Sequence, residues 1–254
     1  MNRFDGKTVV VTGAASGIGA ACVRRMVSEG AKVAALDMSQ DGVDALALEL
    51  GGAERVLPLA LDVSDRPAVE ACIAAARKQF GALHGLINCA GIKGVGSVLD
   101  CDFDNWQRVM SVNLDGTFLV CQAFARSVRD DAGPRAIVNI SSGAGLMGVP
   151  NRLPYVASKF GVTGITRTMG AELGASGIRV NAIAPGMINT PFTAYMFDDP
   201  EKARRIRAGH ALGREGQPSE IAAVAAFLLS DDASFMTGAI VSVDGGQTAC
   251  IPSF

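Results

Sequence analysis

Short apolar runs and longer mixed stretches alternate along this chain. Thr8-Val9-Val10-Val11 is brief, β-branched and apolar, and runs at 31–36, 55–61, 83–87, 136–140, 178–183 and 239–243 share that character. Between them, residues near 17–29, 40–50, 65–80, 104–130, 154–174 and 218–230 carry the mixed pattern of helices packed on one face. Near-continuous apolar strands alternating with helices predict a parallel sheet covered on both faces. Pro58 inside the third run would remove a ladder donor, so that strand belongs at an edge. A Rossmann-type, doubly wound α/β sheet of seven strands ordered 3-2-1-4-5-6-7 puts it there. A single domain over residues 1–254 is expected, with one interruption at 187–215. That stretch follows Pro185-Gly186, carries Phe192, Tyr195, Met196 and Phe197, and then turns basic. It reads as a lid near 188–210 over the site.

Composition narrows the choices. At 49% hydrophobic and 19% charged residues, the chain is rich enough in apolar side chains to build a large core. A net charge of −2 gives no electrostatic case for nucleic acid or an anionic membrane. The six cysteines have no CxxC spacing and only two histidines accompany them, so buried thiols are expected rather than a disulfide framework or a metal site. The segment Met1 to Lys7 lacks an apolar signal region, and the longest apolar stretch, Ile221 to Leu229, is too short to span a bilayer. A cytoplasmic protein is the expectation.

Three motifs carry chemistry. Thr12-Gly13-Ala14-Ala15-Ser16-Gly17-Ile18-Gly19 closes the first strand and opens the first helix. Glycines there let a backbone approach a pyrophosphate, and the helix N-terminus adds N–H groups and a positive dipole end. Asp37 ends the second strand, where a carboxylate accepts both adenosine ribose hydroxyls and repels a 2′-phosphate. No lysine or arginine at Ala14, Ala15 or Met38 reverses that preference, so NAD is expected over NADP. A helix N-cap by Asp37 or Ser39 is the plainer alternative. The third motif is Tyr155-Val156-Ala157-Ser158-Lys159, whose i, i+4 spacing puts phenol and ammonium on one helix face. A fixed ammonium nearby lowers a phenol's pKa from its usual ~10. Ser142, thirteen residues upstream, ends the fifth strand at the edge where such sheets bind ligands.

Taken in order, these motifs resemble the short-chain dehydrogenase/reductase family in its single-domain form. Further pieces of the likeness are Asp62-Val63, Asn88-Cys89-Ala90-Gly91, Asn113, Asn139 to Ser142, Pro185-Gly186-Met187-Ile188-Asn189-Thr190 and Asp244-Gly245-Gly246. The resemblance implies an NAD(H)-dependent oxidoreductase acting on a secondary alcohol or ketone, assembled as a homotetramer. It implies a cofactor held by Gly13, Ser16, Gly17, Ile18, Gly19, Asp37, Asn88, Ala90, Gly91, Pro185 and Gly186, with Asp62 and Val63 at the adenine and Ile188 and Thr190 at the carboxamide. It implies that Ser142 bonds the substrate oxygen and Tyr155 exchanges the proton. Lys159 would bind the nicotinamide ribose and lower the Tyr155 pKa, and Asn113 would hold a relay water. One departure is Cys89, where the family usually has a second Asn; a small buried thiol suits that place better than a catalytic one.

Lys93 and Arg152 flank the expected site, where either could bind a substrate anion, and Arg204, Arg205 and Arg207 follow on the lid; solvated surface charge is the plainer reading of all five. An NADPH-dependent ketoreductase and a dinucleotide-binding regulator without turnover are the alternatives. Asp37 opposes the first, and the set Asn113, Ser142, Tyr155 and Lys159 opposes the second. The lid aromatics suit a cyclic alcohol or diol, a polyol or sugar, or a hydroxysteroid.

Overall fold

The computed structural model describes residues 2–249. Seven parallel strands form one sheet in the order β3-β2-β1-β4-β5-β6-β7. They are β1 (Thr8–Thr12), β2 (Lys32–Asp37), β3 (Val56–Ala60), β4 (Gly85–Asn88), β5 (Arg135–Ile140), β6 (Ile178–Pro185) and β7 (Ile240–Val243). The helices are α1 (Gly17–Ser28), α2 (Gln40–Glu49), α3 (Arg66–Phe80), α4 (Phe103–Met110), α5 (Gly116–Val128), α6 (Leu153–Leu173), α7 (Pro200–Ala208) and α8 (Pro218–Leu229). The strand order and the edge position of β3 match the expectation. Pro58 aligns with Ala35 of β2, and among the described residues β3 has no strand on its other side.

Strand pleating sorts the apolar side chains into two cores. Val9 and Val11 of β1, with Val33 and Ala35 of β2, pack on one face against α1, α2 and α8. Val10, Ala34 and Leu36 point the other way and meet α3 and α5. Both faces of the central strands are therefore dry, which is why they read as unbroken apolar runs rather than alternating ones.

The helix expected over 104–130 is interrupted. Ser111–Asp115 forms a single π turn between α4 and α5, centred on Asn113. The Asn113 side chain explains it: Oδ1 accepts the Ile92 N–H (2.8 Å), while Nδ2 donates to the Ile92 carbonyl (3.1 Å) and to Ser158 Oγ (3.1 Å). A side chain that must satisfy the loop after β4 and the helix α6 together pulls its own backbone out of α register. The insertion after β6 contains a short 3₁₀ turn, Ala194–Met196, and α7, which Asp199 caps. Of the apolar tail Ala249-Cys250-Ile251-Pro252-Ser253-Phe254, which the sequence suggests packs against a partner copy, only Ala249 lies within the described residues.

Candidate active site

The C-terminal ends of β1 to β6 surround a cleft of about 360 Å³. Its floor is the glycine turn. Gly13 has φ +64°, and a Cβ there would stand 2.7 Å from the Ala90 backbone nitrogen; one at Gly19 would fall 2.0 Å from the Gly13 carbonyl oxygen. Neither position admits a side chain, so the turn between β1 and α1 stays low and open. Thr12 Oγ1 accepts the N–H groups of Cys89 and Ala90, 3.2 Å each, tying this turn to the one after β4.

At one end of the cleft lie Asp37, Met38, Asp62 and Val63. Asp37 accepts the N–H of Ala15 through Oδ2 and that of Ser39 through Oδ1, 3.0 Å each. Ser39, not Asp37, caps α2 by accepting the Gly42 N–H. The first turn of α1 carries neither a capping side-chain bond nor an acidic residue, and Gly17, Ile18 and Gly19 line the cleft beside it. An acid at one end, uncapped helix N–H groups at the centre and a side-chain-free floor fit a dinucleotide.

Ser142, Tyr155 and Lys159 line the other part of the cleft, with Pro185, Gly186, Ile188, Thr190 and Phe192. Ser142 begins the short turn Gly143–Gly145 and accepts the Ala144 N–H at 3.1 Å, which leaves its own hydroxyl hydrogen free to donate. Lys159 is only 5% exposed. Its Nζ donates to the Ile140 carbonyl at 2.8 Å and lies 5.7 Å from the centre of the Tyr155 ring. Burial draws its pKa down to about 8, against a smaller upward pull from Cys89. Burial likewise pushes the Tyr155 phenol above its ordinary value, opposed by the Ser142 hydroxyl and then by the charge of Arg152.

The family model described as enoyl-(acyl carrier protein) reductase matches residues 13–248. D-threitol dehydrogenase of Mycolicibacterium smegmatis is 40% identical over 249 residues, covering 97% of this chain and 94% of that protein. The 3-alpha-(or 20-beta)-hydroxysteroid dehydrogenase of Mycobacterium bovis is 41% identical over 247 residues, 97% of this chain and 91% of that one. The crystal structure of gox2181 superposes with a TM-score of 0.93 at 35% identity, covering 98% of this chain and 99% of the other. The chain belongs to the short-chain dehydrogenase/reductase family. It is an oxidoreductase of that family, which works with a nicotinamide cofactor.

Most positions expected of a short-chain dehydrogenase/reductase converge on the one cleft: Gly13, Ser16, Gly17, Ile18, Gly19, Asp37, Asp62, Val63, Ala90, Gly91, Ser142, Tyr155, Lys159, Pro185, Gly186, Ile188 and Thr190 all line it. Asn88 and Asn113 do not. The Asn88 amide turns beneath the sheet, donating to Asn139 Oδ1 (2.9 Å) and Cys121 Sγ (3.2 Å). Asn113 is fully buried, its side chain spent on Ile92 and Ser158. Asn113 stands just behind the cleft wall, bonded to Ile92 and close to Gly91, where an added Cβ would lie 3.3 Å from Asn113 Oδ1 and 3.7 Å from Lys159 Nζ.

The electrostatics of Lys159 and Tyr155 are linked to burial. Burial moves the two groups apart, drawing the Lys159 pKa down to about 8 and the Tyr155 pKa up from its ordinary value. The groups that oppose burial at the phenol are the Ser142 hydroxyl, by hydrogen bonding, and then the charge of Arg152. Ile92 and Val112 line the cleft without having been singled out, because an isolated apolar residue in a loop or helix carries no sequence signal. Cys89 also lines it. Its thiol is pushed well up, first by hydrogen bonding with Cys22 and then by burial, against a weaker opposing pull from Lys159. A thiol held protonated is a poor nucleophile, which accords with a packing role.

Proposed function

We propose that this protein is an NAD(H)-dependent dehydrogenase that interconverts a secondary alcohol and its ketone, with Tyr155 as the acid/base. One observation carries the reading: Ser142, Tyr155 and Lys159 share a single cleft with a glycine turn and Asp37. When bound, the cofactor accepts or returns a hydride. In oxidation the Ser142 hydroxyl donates to the substrate oxygen and holds it against the Tyr155 phenol, which removes the hydroxyl proton. Lys159, fixed on the Ile140 carbonyl, would hold the cofactor ribose. Asp37 supports NAD over NADP: Lys159 is the one cation among the described lining residues, so nothing beside Asp37 offsets its repulsion of a 2′-phosphate.

The relatives named for threitol and for hydroxysteroids support a substrate of the same kind: a polyol, a cyclic alcohol or diol, or a steroid-like alcohol. A homotetramer is part of the same reading, supported by exposed Phe103, Phe118 and Phe160 on α4, α5 and α6; light scattering that reports a monomer at micromolar protein would remove it. The function is tested with Tyr155→Phe. It is expected to abolish NADH formation from a panel of secondary alcohols while calorimetry shows NAD binding intact. Substantial remaining turnover in that variant would end the assignment.

A further inference from the structure

Beyond Phe192, the rim of the cleft carries three cations around one tyrosine of the lid. Lys93 Nζ stands 4.0 Å from the centre of the Tyr195 ring and 5.9 Å from that of Phe192. Lys202 Nζ lies 5.4 Å from the Tyr195 ring, and Arg152 Nη2 donates to the Tyr195 hydroxyl at 2.8 Å. Phe192 in turn packs on Tyr155, ring centres 6.3 Å apart. The cluster is thus one aromatic ring away from the group assigned to proton exchange.

Its backbone is built rather than loose. The Gly96 N–H donates to the Asn151 carbonyl, and the Leu153 N–H to the Gly96 carbonyl, 3.1 Å each, so the loop after β4 is stapled on both sides of Arg152. Asn151, φ +59°, is the one non-glycine among the described residues in the left-handed region. Strain of that kind persists where surrounding structure must hold a side chain in place.

The charge count is lopsided. No described carboxylate lies within 4.0 Å of a charged nitrogen of Lys93, Arg152 or Lys202. The neighbouring lid arginines differ: Arg204 and Arg205 pair with Glu201, and Arg207 pairs with Glu215. Asp199 is occupied in capping α7. The Arg152 guanidinium gives one donor to Tyr195 and keeps others for a partner. Converging cations that repel one another at a cleft mouth are compensated when an anion arrives.

From this geometry we infer that Lys93 and Arg152, with Lys202 and the Tyr195 hydroxyl, form an anion subsite. It receives a carboxylate, sulfonate or phosphate carried by the substrate itself, so the preferred substrate is a hydroxy or oxo acid. The inference rests on the dehydrogenase reading and names its substrate class. Phe192 supplies the apolar wall between the reacting carbon and the acid group, which fixes a spacer of several carbons rather than a 2-hydroxy acid.

The test compares matched pairs: trans-4-hydroxycyclohexanecarboxylate with its neutral carboxamide, the corresponding sulfonate with its sulfonamide, and the phosphate monoester with the parent diol. The native enzyme is expected to favour the charged member by about tenfold or more in kcat/KM, mainly through KM. The member with the largest ratio identifies which anion the subsite takes. Lys93→Gln and Arg152→Gln are each expected to bring the charged-to-neutral ratio down several-fold toward one. The ratio is the decisive readout because Arg152 also acts on the phenol, an effect that falls on both members alike. Ratios near one in the native enzyme, or losses shared equally within each pair, would overturn the subsite and leave the cations as a latch for the lid. Calorimetry of the same acids on NADH-loaded enzyme separates the two readings. Charge-dependent binding without turnover would count against the dehydrogenase reading alone, while turnover with charge-blind binding would count against the subsite alone.

Discussion

Asp37 reaches back across the glycine turn and accepts the amide N–H of Ala15 at 3.0 Å. The same carboxylate holds Ser39 N–H through its other oxygen, so it is fixed in place before any ligand arrives. An ionised carboxylate has about four acceptor sites, and two remain for ribose hydroxyls. Cofactor choice follows from that fixed charge. The native protein is expected to use NAD with a kcat/KM far above that for NADP, and Asp37→Ala to narrow the gap by relieving the repulsion. A ratio near one in the native protein would refute this account of Asp37.

Tyr155 is half-buried, and partial desolvation raises the pKa of its phenol, while Ser142 and Arg152 pull it back down. The chain has two tyrosines, so Tyr195→Phe leaves Tyr155 as the only phenol. In that background, without cofactor, the ultraviolet phenolate band is expected only above pH ~10, the ordinary phenol value. Ser142→Ala is expected to move it higher still, because a donor to the anion is lost. A phenolate seen near neutral pH in the cofactor-free protein would contradict the upward shift of the phenol.

Lys159 makes a prediction about stability. Its pKa falls from 10.5 in the unfolded reference to about 8 in the fold, chiefly through burial. Between those values the unfolded chain binds more protons than the folded one, so this residue makes stability rise with pH across that window. Below it the buried charge costs on the order of 3 kcal/mol. Lys159→Met removes that cost but leaves the Ile140 carbonyl without its donor, a loss of about 1 kcal/mol. At pH 7 the variant is expected to melt higher than the native protein while being inactive, with the difference closing toward pH ~10. A variant that melts lower at every pH would show that the lysine's contacts outweigh its desolvation.

The lid proposal concerns residues 188–210. Phe192 lines the cleft and leans on Tyr155, and Tyr195 accepts a hydrogen bond from Arg152; both aromatic side chains are still partly exposed. Closure over a bound substrate would bury them and exclude water. Amide exchange in 188–210 is expected to slow markedly when NAD and a substrate analogue are added together. Equal protection with and without them would make the segment a fixed roof.

What the sequence determined by itself was local. Strand and helix order, the edge place of β3 from Pro58, the glycine turn, and the Tyr155–Lys159 pair on one face of α6 are all short-range patterns, in which one residue constrains its neighbours. Tertiary structure decided what depends on segments distant in the chain. The π turn at Asn113 exists because its side chain must serve Ile92 and Ser158 at once, and the mixed pattern of 104–130 holds no sign of that demand. The fate of Asn88, the depressed pKa of Lys159 and the gathering of Lys93, Arg152 and Lys202 around Tyr195 have the same origin. Burial and charge proximity are sums over many segments, and they acquire a value only once the chain has closed on itself.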